Sequence, residues 1–274
     1  MKLIRHALAF CCLSLLAANA ALAGPVSVLG RLTRQATLQP GGKSEGTIVL
    51  RNNTDEPREV RVYQTDYLFY ADGRNIYGEP GSVARSNSSW IAFAPRQVVV
   101  AAKATSSVHY TIQVPQEPGL AGTYWSMLMV EPLAEGSLDP PEPEKGKLKV
   151  GIRTVIRYGI QFVTHIADSG KSDIRFRDKR LLINDGKQIL QLDIQNTGES
   201  WLRPLVWAQL YDEHGASMGR FDAGRLRLYP GCSARFRIDL SELSQLPAGN
   251  YTALIVADNG DEHVFGAQYK LHIE

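Results

Sequence analysis

Apolar and polar residues alternate along most of this chain, and nowhere more cleanly than between Leu148 and Val163. Leu148, Val150, Ile152, Thr154, Ile156, Tyr158, Ile160 and Phe162 share one parity, and all but Thr154 are apolar. The other parity holds Lys149, Arg153 and Arg157, with Gln161, among small or apolar residues. Side chains of a strand alternate faces, so the pattern predicts one strand with an apolar face and a basic, mixed face. At ~3.3 Å per residue it would run roughly 50 Å, far beyond the usual strand of about 5–6 residues. A small domain cannot bury such a face from end to end. The exposed part is then a template for pairing with another chain.

Shorter alternating stretches recur elsewhere: Gly46–Leu50, Val60–Tyr63, Val98–Val100, Val108–Val114, Tyr124–Val130, Leu190–Ile194, Leu205–Leu210, Ala234–Ile238 and Tyr251–Ala257. Gly, Pro, Asn and Asp punctuate them, and strong helical periodicity is absent. Many short strands separated by turn signals predict an all-β sandwich protein. The chain also repeats itself. Ile48–Thr54 resembles Leu192–Gly198, each a strand running into an Asn-rich turn, and Ala121-Gly122-Thr123-Tyr124 resembles Ala248-Gly249-Asn250-Tyr251. A Tyr at the start of a late strand is the tyrosine-corner position of immunoglobulin-like sandwiches, and Trp207 is placed like the core Trp of a middle strand. Two immunoglobulin-like domains are expected, 24–164 and 165–274, joined near Thr164–Ser172. Residues 133–147, with Pro140, Pro141 and Pro143, read as a mobile connection feeding the long strand.

The first residues change the compartment. Lys2 and Arg5 precede an apolar run, and Ala21-Leu22-Ala23 forms an A-x-A cleavage site, so 1–23 reads as a signal peptide for export to the periplasm. The run is too short for a membrane span. Beyond it only Cys232 remains, so no internal disulfide can form and stability must come from packed cores. Two of the 30 Lys and Arg residues lie in the leader, which leaves 28 against 28 acids. That balance gives no support to nucleic-acid binding. The histidines are scattered without ligand spacing, and no nucleophile, Walker or Rossmann motif occurs, so neither a metal, a cofactor nor an enzyme is expected. Asp258-Asn259-Gly260-Asp261-Glu262 reads as a hairpin turn rather than a calcium loop.

Three stretches resemble the periplasmic chaperones of chaperone–usher pilus assembly, the PapD-like family. Ser89-Trp90-Ile91 with Ala94-Pro95-Arg96-Gln97-Val98 is similar to that family's S-W-I segment and following Pro-led strand. Tyr124–Pro132 is similar to its aromatic-rich strand ending in Pro, and Leu148–Phe162 to its donor strand. The resemblance implies two angled immunoglobulin-like domains that lend a strand to an incomplete pilus or fimbrial subunit, donor-strand complementation being a form of strand addition. It implies Leu148, Val150, Ile152 and Thr154 as the lent residues, with Ile156, Tyr158 and Ile160 kept in the protein's own core. Burying three such aliphatic side chains contributes on the order of 5–8 kcal/mol before ordering costs. It further implies two cleft cations for the subunit's terminal carboxylate, Arg34 (with Arg31 as competitor) and Arg157, and an outer-membrane usher as a second partner. Arg suits that role because its planar fork meets a carboxylate with two parallel bonds. Self-association through the same strand is a further use of an exposed edge. The insertion between Phe69 and Ser89 and the acidic, Pro-rich segment depart from the family and leave the subunit unnamed. The competing expectation is a non-catalytic envelope or carbohydrate-binding protein, with Tyr63, Tyr67, Phe69, Tyr70 and Tyr77 as an aromatic platform.

Overall fold

The computed structural model describes residues 24–133, 155–167, 169–241 and 246–273. Leu148, Val150, Ile152 and Thr154, the residues expected to be lent, lie outside the described residues. What is described is all-β: two sandwiches, each of two sheets.

The first sandwich contains β1 (Val26–Leu29), β2 (Thr33–Leu38), β3 (Lys43–Asn52), β4 (Arg58–Phe69), β5 (Asn75–Gly78), β6 (Ile91–Ala94), β7 (Gln97–Val100), β8 (Thr105–Gln113), β9 (Gly122–Pro132) and β10 (Tyr158–Ile166). One sheet runs β1-β3-β8-β6 and the other β2-β10-β9-β4-β5, with β7 also on β4. The first strand changes sheets at Gly30, whose φ of 90° is open to glycine at little cost. β1 therefore pairs antiparallel with β3, while β2 pairs parallel with β10. Between the sheets, the inward parities of facing strands interdigitate: Ile48, Leu50, Val60, Val62, Leu128, Val130, Ile160 and Phe162 are all buried. Each such side chain contributes roughly 1.5–3 kcal/mol on burial.

The second sandwich contains β11 (Ile174–Asn184), β12 (Lys187–Asn196), β13 (Leu205–Tyr211), β14 (Ser217–Arg225), β15 (Ser233–Asp239), β16 (Gly249–Asp258) and β17 (Val264–Ile273). Sheets β11-β12-β15 and β14-β13-β16-β17 close over Leu190, Leu192, Ile194, Phe236 and Ile255. Val206, Ala208 and Leu210 supply the inward parity of β13. Trp207 therefore points the other way, half-buried beneath Arg220 at 4.3 Å, which corrects its expected place in the core. The alternation of β13 is clear in the sequence, but the bulkier parity is the outer one. Tyr251 does make the expected corner, its hydroxyl donating to Pro247 O at 2.8 Å. Tyr124 instead packs on the Trp90 ring at 4.6 Å. The Asn259-Gly260 turn joins β16 and β17 as a hairpin, closed from Asn259 N to His263 O at 3.1 Å.

The Phe69–Ser89 insertion is not a free loop. The buried Asp66 carboxylate gathers it by accepting from Ser82 Oγ (3.2 Å), Val83 N (3.0 Å) and Ser86 Oγ (2.5 Å). At its end Asn87 is fully buried, donating to Phe162 O at 3.2 Å and Thr164 Oγ1 at 3.0 Å. The insertion thus grips β10 from the side.

Candidate functional site

β10 sets the geometry of the site. Against β9 it pairs along its whole length, from Tyr158↔Val130 to Ile166↔Gly122. Pairing with β2 begins only at Gln161↔Thr33. Among the described residues, 158–160 thus have a strand partner on one side only. The strand itself starts at Tyr158, so the sixteen-residue strand expected from the alternation is corrected over 155–157, which are not extended into the sheet. The reason lies in the neighbours: β2 has not begun at that level, and β9 ends in Pro132, which has no N–H to offer β10. At the other end β10 reaches Ile166, two residues past the expected domain boundary, because its register with β9 and β2 continues. Beside its start sit two exposed apolar residues, Leu32, whose carbonyl accepts from Gln161 N at 2.8 Å, and Val155, at 42% and 44% exposure.

Arg157 stands just before the strand and reaches back to β9. Its Nε lies 3.1 Å from Glu131 Oε1, while Arg61 Nη2 of β4 lies 2.9 Å from Glu131 Oε2. The three form one cross-strand row, Arg61–Glu131–Arg157, one rung before the end of the β4–β9 pairing. Burial works against the charge on Glu131. The hydrogen bond from Arg61, the charges of Arg157 and Arg61 and the Tyr63 hydroxyl outweigh it, and hold the carboxyl below its usual range. Both guanidiniums keep more than half their side-chain surface in solvent.

Arg34 does not join this row. Its register partner on β10 is Phe162, five residues beyond Arg157, a distance of about 16 Å along a parallel strand. It also shares parity with Ala36 and Leu38, which pack against the first core, whereas Arg157 shares the outer parity with Gly159, Gln161 and Val163. The β2–β10 register and the opposite parities it reveals therefore separate the expected pair, which the structure does not bring together. Arg34 Nε is buried and has no hydrogen-bond partner among the described residues. Arg31, its competitor, is exposed. The cation that does face the junction next to β2 is Arg227, donating to Thr33 Oγ1 at 2.9 Å. It arrives from the second sandwich, and no local sequence signal marked it.

The outer face of the β10 sheet meets the second sandwich in a small apolar cluster. Trp125 and Val163 pack with Tyr229 and Cys232, flanked by Leu68, Phe69 and Trp201. The Trp125 and Tyr229 rings stack at 5.1 Å. Burial pushes Tyr229 up to about 12, against the opposing charge of Arg227, and its hydroxyl donates to Gln161 Oε1 at 3.2 Å. Burial likewise pushes the Cys232 thiol up to about 11. Around this cluster the polar contacts cross between sandwiches. Arg85 of the insertion pairs with Glu199 at 3.0 Å, Thr123 N donates to Glu199 O at 2.8 Å, and Ala71 N donates to Ser233 Oγ at 2.9 Å. Thr123 Oγ1 accepts from Trp201 N at 2.9 Å and lies 3.0 Å from His165 Nδ1. Burial lowers His165 to about 4. Of the expected aromatic platform, Phe69 is used here, Tyr67 packs between Phe69 and Tyr77 at 5.8 and 5.1 Å, and Tyr70 lies under Arg74 at 5.2 Å.

The two sandwiches thus meet at a fixed, mixed interface, with β10 passing beside it. No protein-family model matches the chain, and no curated protein matches it in sequence. Similarity is to solved folds. A chain of a chaperone–tip adhesin complex from CFA/I fimbriae biogenesis aligns with a TM-score of 0.48 and 12% identity, over 90% of this chain and 98% of that one. CfaA, a class 5 fimbriae chaperone, aligns with a TM-score of 0.45 and 11% identity, over 91% of this chain and all of that one. A chain of the Salmonella enterica SafA pilin–SafB chaperone complex aligns at 0.40 and 13%, over 90% and 96%. At these identities the likeness is one of architecture.

Proposed function

We propose that this chain is a non-enzymatic assembly chaperone for the subunits of a pilus or other surface fibre. It is exported to the periplasm by residues 1–23 and works in two domains, 24–166 and 169–273, handing its subunits to an outer-membrane usher. The observation that carries this reading is the half-paired start of β10. Among the described residues the strand edge at Tyr158–Ile160 is open, with exposed Leu32 and Val155 at its two ends, and it is fed by a segment that alternates apolar residues in the same phase. Such a segment can complete another chain's sheet through backbone pairing, with every second side chain in a pocket. Leu148, Val150, Ile152 and Thr154 are the residues proposed to be lent. Arg157 is the proposed anchor for the subunit's carboxylate; Arg34, on the core parity, has no part in it.

The test is co-expression with the small exported proteins encoded beside this chain, followed by purification from the periplasm. A stable one-to-one complex with one of them supports the proposal. Recovery of the chain without any small partner, from cells that make the candidates, refutes it.

A further inference from the structure

A cavity of about 880 Å³ opens between the two sandwiches, from the end of β10 and the linker after it to the turn that joins β16 and β17. It stands apart from the strand edge proposed for lending. Ile166, on its wall, lies eight residues along β10 from Tyr158, about 26 Å on an extended strand. Small-molecule sites favour hollows of this size at domain junctions. One wall is aromatic. The rings of His165 and Trp201 stack at 5.5 Å with 26° between their planes, and Arg227 lies over the indole at 5.9 Å. Thr123 Oγ1 fixes both, accepting from Trp201 N at 2.9 Å and lying 3.0 Å from His165 Nδ1. Both rings are half-buried and line the cavity; the indole brings an N–H donor and the imidazole a second nitrogen.

The facing wall is polar and ordered in advance. It is formed by the acid- and amide-rich turn at Asp258–Glu262, which is tied to the strands beside it. Asn259 Oδ1 accepts from Arg203 N at 2.8 Å, Asn259 Nδ2 donates to Asp261 Oδ2 at 2.7 Å, and Arg225 Nη1 donates to Arg203 O at 3.0 Å. Arg203 is thus exposed on the rim with its backbone held from both sides. His263 Nδ1 stands 3.0 Å from Asp261 Oδ1. Among the described lining residues, Arg203 and Arg225 are balanced by Asp261 and Glu262. Burial lowers His165 to about 4, so its ring adds no charge at neutral pH. The cavity therefore has no surplus of either sign to offer an ion.

We propose that this cavity binds a short, neutral oligosaccharide. The aromatic wall takes the C–H face of one sugar ring, because the face of an aromatic ring carries the negative end of its quadrupole. The planar amide, carboxylate and guanidinium groups opposite present paired donors or acceptors, which match two adjacent hydroxyls at once. The site is separate from the Tyr63–Tyr77 platform expected from the sequence, and it does not depend on strand lending, which uses the other end of β10.

NMR of the indole N–H groups in the full exported chain tests it. The four tryptophans give four such signals, and Trp201→Phe identifies the one that reports on the cavity. The probes are cellotriose, maltotriose and N,N′-diacetylchitobiose, with inorganic phosphate as the ionic control. At least one sugar is expected to move the Trp201 signal saturably, while phosphate leaves it in place. Arg203→Ala removes an exposed rim side chain and should weaken that sugar about tenfold or more at an unchanged melting temperature. Glu262→Ala, on the same rim, carries the same expectation and serves if the first variant melts early. Absence of a shift with all three sugars, up to their solubility limits, overturns the proposal. A saturable shift with phosphate alone also overturns it, by making this an anion site on Arg203 and Arg225. Equal affinity for the sugar in wild type and in both folded rim variants overturns it as well, by placing the sugar elsewhere.

Discussion

Asn52 and Asn196 do the same work at the same place in the two sandwiches. Each is fully buried at the end of a strand, β3 or β12, and each spans a turn with its amide. Asn52 Oδ1 accepts from Thr54 N at 2.9 Å, and its Nδ2 donates to Glu56 O at 2.7 Å and Val100 O at 3.0 Å. Asn196 Oδ1 accepts from Gly198 N at 2.9 Å, and its Nδ2 donates to Ser200 O and Leu228 O, both at 2.8 Å. Replacing either by Ala strands buried backbone groups and should cost about 1–3 kcal/mol. Urea unfolding measures this, and a change within error at both positions would contradict it.

A charge at Ile152 tests the lent segment directly. Ile152→Asp should abolish subunit capture while leaving the melting temperature in place, because only a side chain outside the protein's own core tolerates a carboxylate. A variant that aggregates instead would assign Ile152 to the core.

Glu131 couples acid to the start of β10. Its carboxyl is held below the ordinary glutamate value of 4.5 in the folded protein, so the stability it contributes is fully present above about pH 4.5 and lost as pH falls through its folded pKa. Glu131→Gln should therefore flatten the acid limb of the stability curve. An unchanged slope would mean that the arginine row does not stabilise the fold.

His165 acts over a higher window. Its pKa is about 4 when folded against the ordinary histidine value of 6.5, so the unfolded chain binds the extra proton between those values. Stability should fall as pH drops from about 6.5 to 4, and His165→Gln should remove that part of the slope. An NMR titration giving His165 a midpoint near 6.5 would refute the buried, neutral ring.

Much of this was legible from periodicity. All nine stretches picked by alternation are strands, since a period of two is a property of the segment itself. The Asn and Gly-Tyr repeats likewise pointed to two related sandwiches. What alternation cannot give is which parity faces in, or what another strand brings. Trp207 was assigned to the wrong face for the first reason. Arg34 and Arg157 were expected together for the second, because the parallel β2–β10 register that separates them joins residues more than a hundred positions apart. Arg227, Glu131 and the Trp125–Tyr229 stack reach the site by the same long-range route.

The thiol of Cys232 reports on the junction. Buried and pushed up to about 11, it should resist maleimide at neutral pH, and Trp125→Ala should speed its labelling by removing the ring that stacks over Tyr229. Equal labelling rates in the two proteins would show that the stack does not shield the thiol.

The neighbour of Gly24 has a practical consequence. A Cβ on that residue would stand 3.3 Å from Ile156, so the front of the described chain lies against the segment leading into β10. An affinity tag fused there would crowd the entry to β10 and suppress complex formation for purely steric reasons. Extensions placed after Ile273, which pairs with Gly249 in the second sandwich, avoid that interference.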